Sequence, residues 1–149
     1  MNLVLISATI SWLVTQCIKT LIHALFRKTP RGLPDIIAGL LWQTGGMPSS
    51  HGALVTALTV SIGILEGTGS SVFVLSLFFG IIVIRDSLGV RLSSGRQAHT
   101  LNKLGKNLKK KFAIDFTVVK EVHGHTPLEV LVGMLIGGTI ALIVSTLSI

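Results

Sequence analysis

The sequence has few charged residues, a single cysteine and no tyrosine. Only 13% of its 149 residues are charged, whereas soluble domains usually carry about a quarter. Cys17 stands alone, so no disulfide framework can form within one chain. There is no aromatic-rich basic patch of the kind that binds nucleic acid. These absences argue against an ordinary soluble domain, a disulfide scaffold and a nucleic-acid partner.

Long apolar runs are what the chain has instead. A transmembrane helix needs roughly 20 predominantly apolar residues. Four charge-poor runs approach this length and predict an all-α membrane bundle of four spans, at residues 2–18, 52–65, 68–84 and 130–149. The first run has no preceding basic region and no small-x-small cleavage site, so we interpret it as a retained span and not as a signal peptide. Residues 67–70, Gly-Thr-Gly-Ser, predict the turn between the second and third runs.

Two further segments are helical in pattern but do not look like spans. Residues 33–43 are too few to cross a bilayer, and they predict a re-entrant or interfacial helix. Residues 95–111 are basic and place Leu101, Leu104 and Leu108 at helical spacing. They predict an amphipathic helix on the membrane surface. We expect the whole chain, residues 1–149, to form a single domain.

The distribution of positive charge predicts the topology. With four alternating spans, all 13 lysines and arginines fall on one side, while the other side carries the termini and the Glu66 turn. The positive-inside rule makes the basic side cytoplasmic. The same alternation of spans brings four residues to that face: His51, Asp86, Arg91 and His125. We therefore expect a site facing the cytoplasm, in what we interpret as a bacterial cell membrane.

This set of side chains is suited to phosphoryl transfer. Arginine and lysine bind phosphate oxygens and stabilise the charge that develops on them. One histidine can attack phosphorus as a nucleophile, and a second can protonate the leaving oxygen. A carboxylate can hold the tautomer of the nucleophile.

The stretch GGMPSSHGALV, residues 45–55, has the features of a phosphate-binding turn. Gly45 and Gly46 allow the backbone to approach a ligand closely. Pro48 is placed to start a helical turn that the two following serines can cap. The first N–H groups of a helix bind phosphate well, and His51 would lie beside them.

Three segments, GGMPSSHGALV, IRDSLGVRLSSGRQAHTLNKL and GHTPLEVLVGMLIG, occur in this order. Together they resemble the divergent branch of the type-2 phosphatidic acid phosphatase and vanadium haloperoxidase superfamily, and the resemblance runs from about Gln16 to the C-terminus. It implies a metal-independent phosphatase that acts on a lipid or isoprenoid phosphate or diphosphate through a histidine nucleophile.

The resemblance also implies roles for particular residues. His51, in Pro-Ser-Ser-His, matches the general acid, with Ser50 in place of the family's glycine. His125 matches the nucleophile, and Glu129 stands where the family has the aspartate that orients it. Val119 stands six residues before His125, where the family has an arginine in the third of its sequence motifs. We therefore expect Arg91 or Arg96 to take the role of that arginine, with Asp86 positioning it. The full set that we expect to bind substrate is Lys19, Ser49, Ser50, Asp86, Arg91, Arg96 and Gln97.

The sequence also allows functions other than a phosphatase. The replaced third-motif arginine favours a non-enzymatic lipid-phosphate binder or scaffold on the same fold. A small transporter subunit would need inward-facing polar residues at mid-membrane, where this chain has mostly apolar residues with scattered serine and threonine. His123 and His125 could bind metal, but they lack further ligands with metal-site spacing, so we expect no metal and no cofactor.

Gly133, Gly137 and Gly138 predict close helix packing, and a homo-oligomer is left open.

Overall fold

The computed structural model describes residues 2–26, 46–121 and 124–147. These residues form five α-helices and no strand, which confirms the prediction of an all-α fold. The helices are α1 (Leu3–Phe26), α2 (Ser50–Leu65), α3 (Ser71–Leu88), α4 (Val90–Phe112) and α5 (Pro127–Thr146). The helix predicted over residues 33–43 lies outside the described residues.

Four apolar helices form the bundle, but they differ in length. Three helical stretches are long and apolar enough to cross a membrane: α1, α5 and the run Ser71–Phe112 that begins with α3. The fourth, α2, has 16 residues, about 24 Å at 1.5 Å per residue, which is shorter than a typical hydrocarbon core. The four predicted spans are thus three full-length helices and one short one.

The outer surface of the bundle is apolar. On α3, for example, Leu75, Phe78 and Ile82 are 71%, 59% and 65% exposed at helical spacing. Such a surface would be costly in water but matches lipid chains. The described core, by contrast, is made largely of small and polar residues.

Glycines allow α2 and α5 to pack backbone to backbone. A Cβ atom added at Gly133 would collide with the carbonyl oxygen of Ser49, and one added at Gly137 would collide with that of Ala53. The predicted packing role of these two glycines is therefore confirmed. Gly138 is less restricted, because its Cβ would lie 3.7 Å from Thr56 Cγ2, an ordinary contact. Small residues at such positions bring membrane helices close together.

The buried face of α1 is polar. Ser7, Ser11, Thr15 and Lys19 follow one another at four-residue intervals, and each is at most 1% exposed. Ser7 Oγ lies 2.5 Å from Ser61 Oγ on α2, and the Thr15 hydroxyl donates to the Ser11 carbonyl at 2.9 Å. The scattered serine and threonine of this span are thus gathered inside the bundle. Ser61 and a backbone carbonyl replace water for Ser7 and Thr15, while the Ser11 hydroxyl has no hydrogen-bond partner among the described residues.

Local signals define the helix ends. Ser49, Ser70 and Thr126 cap α2, α3 and α5 with their side chains. The predicted turn at residues 67–70 is confirmed between α2 and α3, and Gly67 has a φ of +85° there. That conformation favours glycine.

The amphipathic helix predicted over residues 95–111 is confirmed as α4, which runs from Val90 to Phe112. One face is covered by the following segment, where Asn102 exchanges two 2.9 Å hydrogen bonds with the backbone of Val119. The leucines of its apolar stripe remain exposed, as do its lysines. The helix therefore exposes both an apolar and a basic surface beside the end of α3.

Candidate functional site

The C-terminal ends of α1 and α3 meet the N-terminal ends of α2 and α5 at one end of the bundle. The Ser49 backbone N–H donates to the carbonyl of Glu129 at 2.9 Å, which joins the starts of α2 and α5. Lys19 Nζ lies 3.5 Å from Ser50 Oγ. The His125 N–H donates to the Ser87 carbonyl at 3.3 Å. Residues far apart in the sequence are thus brought into one site.

The two histidines singled out in the sequence lie close together. The ring centroids of His51 and His125 are 6.4 Å apart, and the rings are inclined at 70°. His51 is the second residue of α2 and is exposed, whereas His125 precedes α5 and is only 5% exposed. One histidine is therefore accessible and the other is enclosed.

The two ring nitrogens of His125 have different surroundings. Nδ1 lies 3.0 Å from Ser87 Oγ on α3. Nε2 is buried and has no hydrogen-bond partner among the described residues. A buried polar nitrogen without a partner is costly unless a ligand satisfies it. Nε2 is thus the ring nitrogen that has no partner in the described structure.

Glu129 does not make the orienting contact expected from the sequence. Its carboxylate accepts a 2.9 Å hydrogen bond from the Thr126 backbone N–H, as part of a capping box at the start of α5. In the described structure, the contact at Nδ1 of His125 comes from Ser87 instead. Ser87 was missed because one serine near a span end has no distinctive sequence signal, although it follows the candidate Asp86.

Burial sets the protonation of His125. The pKa of His125 is lowered from its ordinary value of 6.5, chiefly by desolvation and then by the positive charge of Lys19. Glu129 opposes this shift, while His51 and Arg91 add to it. A lowered pKa favours the neutral imidazole at pH 7, which is the form that can act as a nucleophile.

Lys19 is an interior cation. It is 1% exposed and reaches Ser50 Oγ at the start of α2. The carboxylate of Glu129 acts on it as an opposite charge. Intramembrane charges are expensive and are commonly functional. The structure thus places Lys19, one of the residues expected to bind substrate, beside Ser50 at the start of α2.

A cavity of about 250 Å³ opens beside the exposed histidine. It is lined by His51, Ile82, Val83, Asp86, Ser87 and Arg91. Arg91 Nε donates to Asp86 Oδ2 at 2.6 Å, so Asp86 positions this arginine as the sequence suggested. Ile82 and Val83 form an apolar wall one turn deeper on α3. The cavity therefore combines a cation and a histidine with an apolar side.

The serine pair contributes mainly through the fold. Ser49 is fully buried, and its hydroxyl accepts the N–H of Gly52 at 3.2 Å, which confirms the predicted cap for Ser49 but not for Ser50. Pro48 lies before this cap and is not part of the helix. Ser50 follows as the first helical residue and contacts Lys19. Ser49 thus holds the start of α2 in place and orients His51.

Arg96 and Gln97 lie away from the histidine pair. Arg96 lines a separate cavity of about 450 Å³ together with His99 and Glu121. Gln97 Nε2 donates to Ser93 Oγ at 3.4 Å on the same helix. Because α4 leads away from the bundle after α3, only its first turn reaches the cavity, and Arg91 is the arginine placed there.

The chain can now be assigned to a class of membrane proteins. It matches the Divergent PAP2 family over residues 1–140 and belongs to that family. It is 38% identical over 117 residues to the "Uncharacterized membrane protein YuiD" of Bacillus subtilis (strain 168), covering 71% of this chain and 74% of that protein. No solved structure matches. The match and the apolar helices show a PAP2-related membrane protein, as the resemblance predicted.

Proposed function

We propose that the chain is a membrane phosphatase that hydrolyses a lipid or isoprenoid phosphate or diphosphate. The observation that carries the proposal is the state of His125. One ring nitrogen is held by Ser87, the other is buried without a partner, and a second histidine lies 6.4 Å away. A phosphoryl group would give Nε2 the partner that it lacks.

The reaction would proceed in two steps. Nε2 of His125 forms a bond to phosphorus as the bond between phosphorus and the leaving oxygen breaks, and protonated His51 gives its proton to that oxygen. Neutral His51 then takes a proton from water, whose oxygen attacks phosphorus and breaks the phosphorus–nitrogen bond. Arg91 and Lys19 would stabilise the charge on the phosphoryl oxygens. The sequence of steps needs no metal or cofactor.

The apolar wall of the cavity supports an amphiphilic substrate. Ile82 is 65% exposed on the outer surface of α3 and also lines the cavity with His51 and Arg91. A phosphate could contact the polar residues while its tail follows the apolar surface of α3.

The charge distribution supports a site that faces the cytoplasm. The described lysines and arginines lie at the site end of the bundle, on α4 or on the segment after it. The opposite end has Glu66 in the turn between α2 and α3. By the positive-inside rule the basic end is cytoplasmic in a bacterial cell membrane.

A lipid-phosphate-binding scaffold is the alternative, and one observation favours it. Nε2 of His125 is enclosed, with the residue only 5% exposed, so a phosphate must first displace neighbouring atoms to reach it. A protein that only binds the headgroup through Arg91 and His51 needs no such access.

Phosphate release by the full-length protein in detergent, with EDTA present, tests the two proposals. The substrates are phosphatidate, phosphatidylglycerophosphate, and short isoprenyl phosphates and diphosphates. We expect His125→Ala and His51→Ala to lose release, and His99→Ala to keep it, because His99 pairs with Glu121 at 3.2 Å outside the site. Binding of these lipids without release from any of them would favour the scaffold, and release abolished by EDTA would indicate a metal enzyme.

A further inference from the structure

We propose that Ser87, and not Glu129, is the residue that positions His125 by selecting its tautomer. This inference rests on the proposed function, since it assigns the partner of the nucleophile. The resemblance to the superfamily implied a carboxylate, that of Glu129, in this role. The structure instead brings a neutral hydroxyl from another helix to Nδ1.

Ser87 holds His125 at two points. Its hydroxyl lies 3.0 Å from Nδ1, and its carbonyl accepts the backbone N–H of His125 at 3.3 Å. Ser87 lies in the last turn of α3, where carbonyl groups have no partner within the helix. That carbonyl is therefore free to bind the loop before α5. Both groups are shielded, since Ser87 is 6% and His125 is 5% exposed.

Glu129 makes its hydrogen bonds to Thr126, at the start of α5. Its carboxylate accepts the Thr126 N–H at 2.9 Å, and its own N–H donates to Thr126 Oγ1 at 3.4 Å. Moving the carboxylate to His125 would break this capping box and weaken the start of α5. Glu129 therefore acts on His125 through its charge, while Ser87 makes the directional contact.

The direction of the Ser87 hydrogen bond decides which nitrogen can react. A hydroxyl can donate or accept, but a proton on Nε2 would be a buried donor with no partner among the described residues. The proton therefore belongs on Nδ1, where Ser87 accepts it, and Nε2 carries the lone pair that attacks phosphorus. When the phosphorus–nitrogen bond forms, the ring becomes cationic, and the same Nδ1–H remains bonded to Ser87. A hydroxyl is a weaker partner for this cation than a carboxylate would be, so its main effect is on orientation and tautomer.

The test is ¹⁵N NMR of histidine-labelled full-length protein in detergent micelles, with the His125 signals assigned from a His125→Gln sample. We expect the wild-type protein to show His125 protonated at Nδ1. Ser87→Ala should mix the two tautomers, and Ser87→Thr should restore the wild-type pattern because it keeps a hydroxyl. Glu129→Gln should leave the tautomer unchanged, because glutamine can still complete the capping box.

Ser76→Ala is the matched control. Ser76 is also on α3 and also 6% exposed, but its hydroxyl donates to the Phe73 carbonyl at 2.8 Å, away from the site. In the phosphate-release assay we expect Ser87→Ala to lower kcat about ten- to a hundredfold with little change in KM, the range known for partners that orient metal-bound histidines. Ser76→Ala should keep the wild-type rate.

The outcomes separate this inference from the proposed function. Unchanged His125 signals in Ser87→Ala, or a tautomer change in Glu129→Gln, would overturn the assignment of Ser87. The NMR result does not depend on turnover, so a wild-type protein that releases no phosphate would overturn the phosphatase while the tautomer data still decide the Ser87 contact.

Discussion

Two of the cavities around α3 and α4 differ in a way that bears on function. The larger, about 450 Å³, contains Arg96 on an exposed part of α4. The smaller, about 250 Å³, contains Arg91 and His51 and is lined by residues of α2, α3 and α4. The smaller one borders a buried residue, Ser87, whose hydroxyl contacts His125. The candidate site is identified by the meeting of several helices, more than by the volume of its cavity or by its positive charge.

The largest expected effect separates the two arginines. Arg91→Ala should lower phosphate release by about two to three orders of magnitude, because it removes a cation that stabilises the transferring group. Arg96→Ala, the matched change in the other cavity, should keep release within about twofold of wild type, since a surface substitution away from the site has little effect. Steady-state kinetics on the same substrate compare them. Equal losses in both variants would show that the two cavities act together.

A second test concerns the packing that brings the site together. Gly137→Ala should destabilise the bundle by about 1–3 kcal/mol, because the new methyl group collides with the Ala53 carbonyl between α2 and α5. Gly138→Ala is the control on the next residue, where the nearest atom leaves room. Thermal unfolding in detergent gives both values. A Gly138→Ala variant as unstable as Gly137→Ala would contradict the described α2–α5 contact.

The third test uses the enclosed histidine. The pKa of His125 is lowered in the folded protein by burial and by Lys19. The unfolded chain therefore binds a proton first as the pH falls below 6.5, and stability is lost toward the lower folded pKa. Unfolding midpoints near neutral pH and at about pH 5.5 should differ less in His125→Gln than in wild type. Equal differences would show that His125 is not enclosed as described.

The smallest expected effect is that of Asp86, which holds Arg91 at the rim. The pair is half exposed, with side chains 50% and 40% accessible, and such pairs contribute about 0.2–1 kcal/mol. Asp86→Asn should therefore lower kcat/KM only about two- to fivefold. Asp115→Asn is the control, because Asp115 pairs with Lys109 far along α4. A loss as large as that of Arg91→Ala would give Asp86 a direct role in the reaction.

Much of the architecture could be predicted from local pattern. Apolar runs gave the helices of the bundle, the glycine-rich stretch at residues 67–70 gave the turn, and leucine spacing gave α4. These features depend on neighbours within a few residues. The lengths of α1 and α4 were less well predicted, because polar residues at helix ends continue a helix without contributing to an apolar run.

The candidate site was predicted in part. His51, His125, Lys19, Asp86 and Arg91 were chosen by residue type and motif, and the structure brings them to one end of the bundle. The orienting partner of His125 was assigned to Glu129 by spacing. That assignment overlooked the competing use of a glutamate at the third position of a helix, where a capping box satisfies it.

The sequence by itself determined which segments are helical and apolar, where caps and turns fall, and which side chains are chemically suited to phosphoryl transfer. Only the tertiary structure decided that Ser87 contacts His125, that Lys19 is enclosed, and that Arg91 and not Arg96 borders the cavity. The physical reason is the separation along the chain over which each kind of interaction acts. Helix periodicity and capping act within one or two turns, whereas these contacts join helices that are separated by up to 38 residues in the chain and depend on how closely their backbones pack.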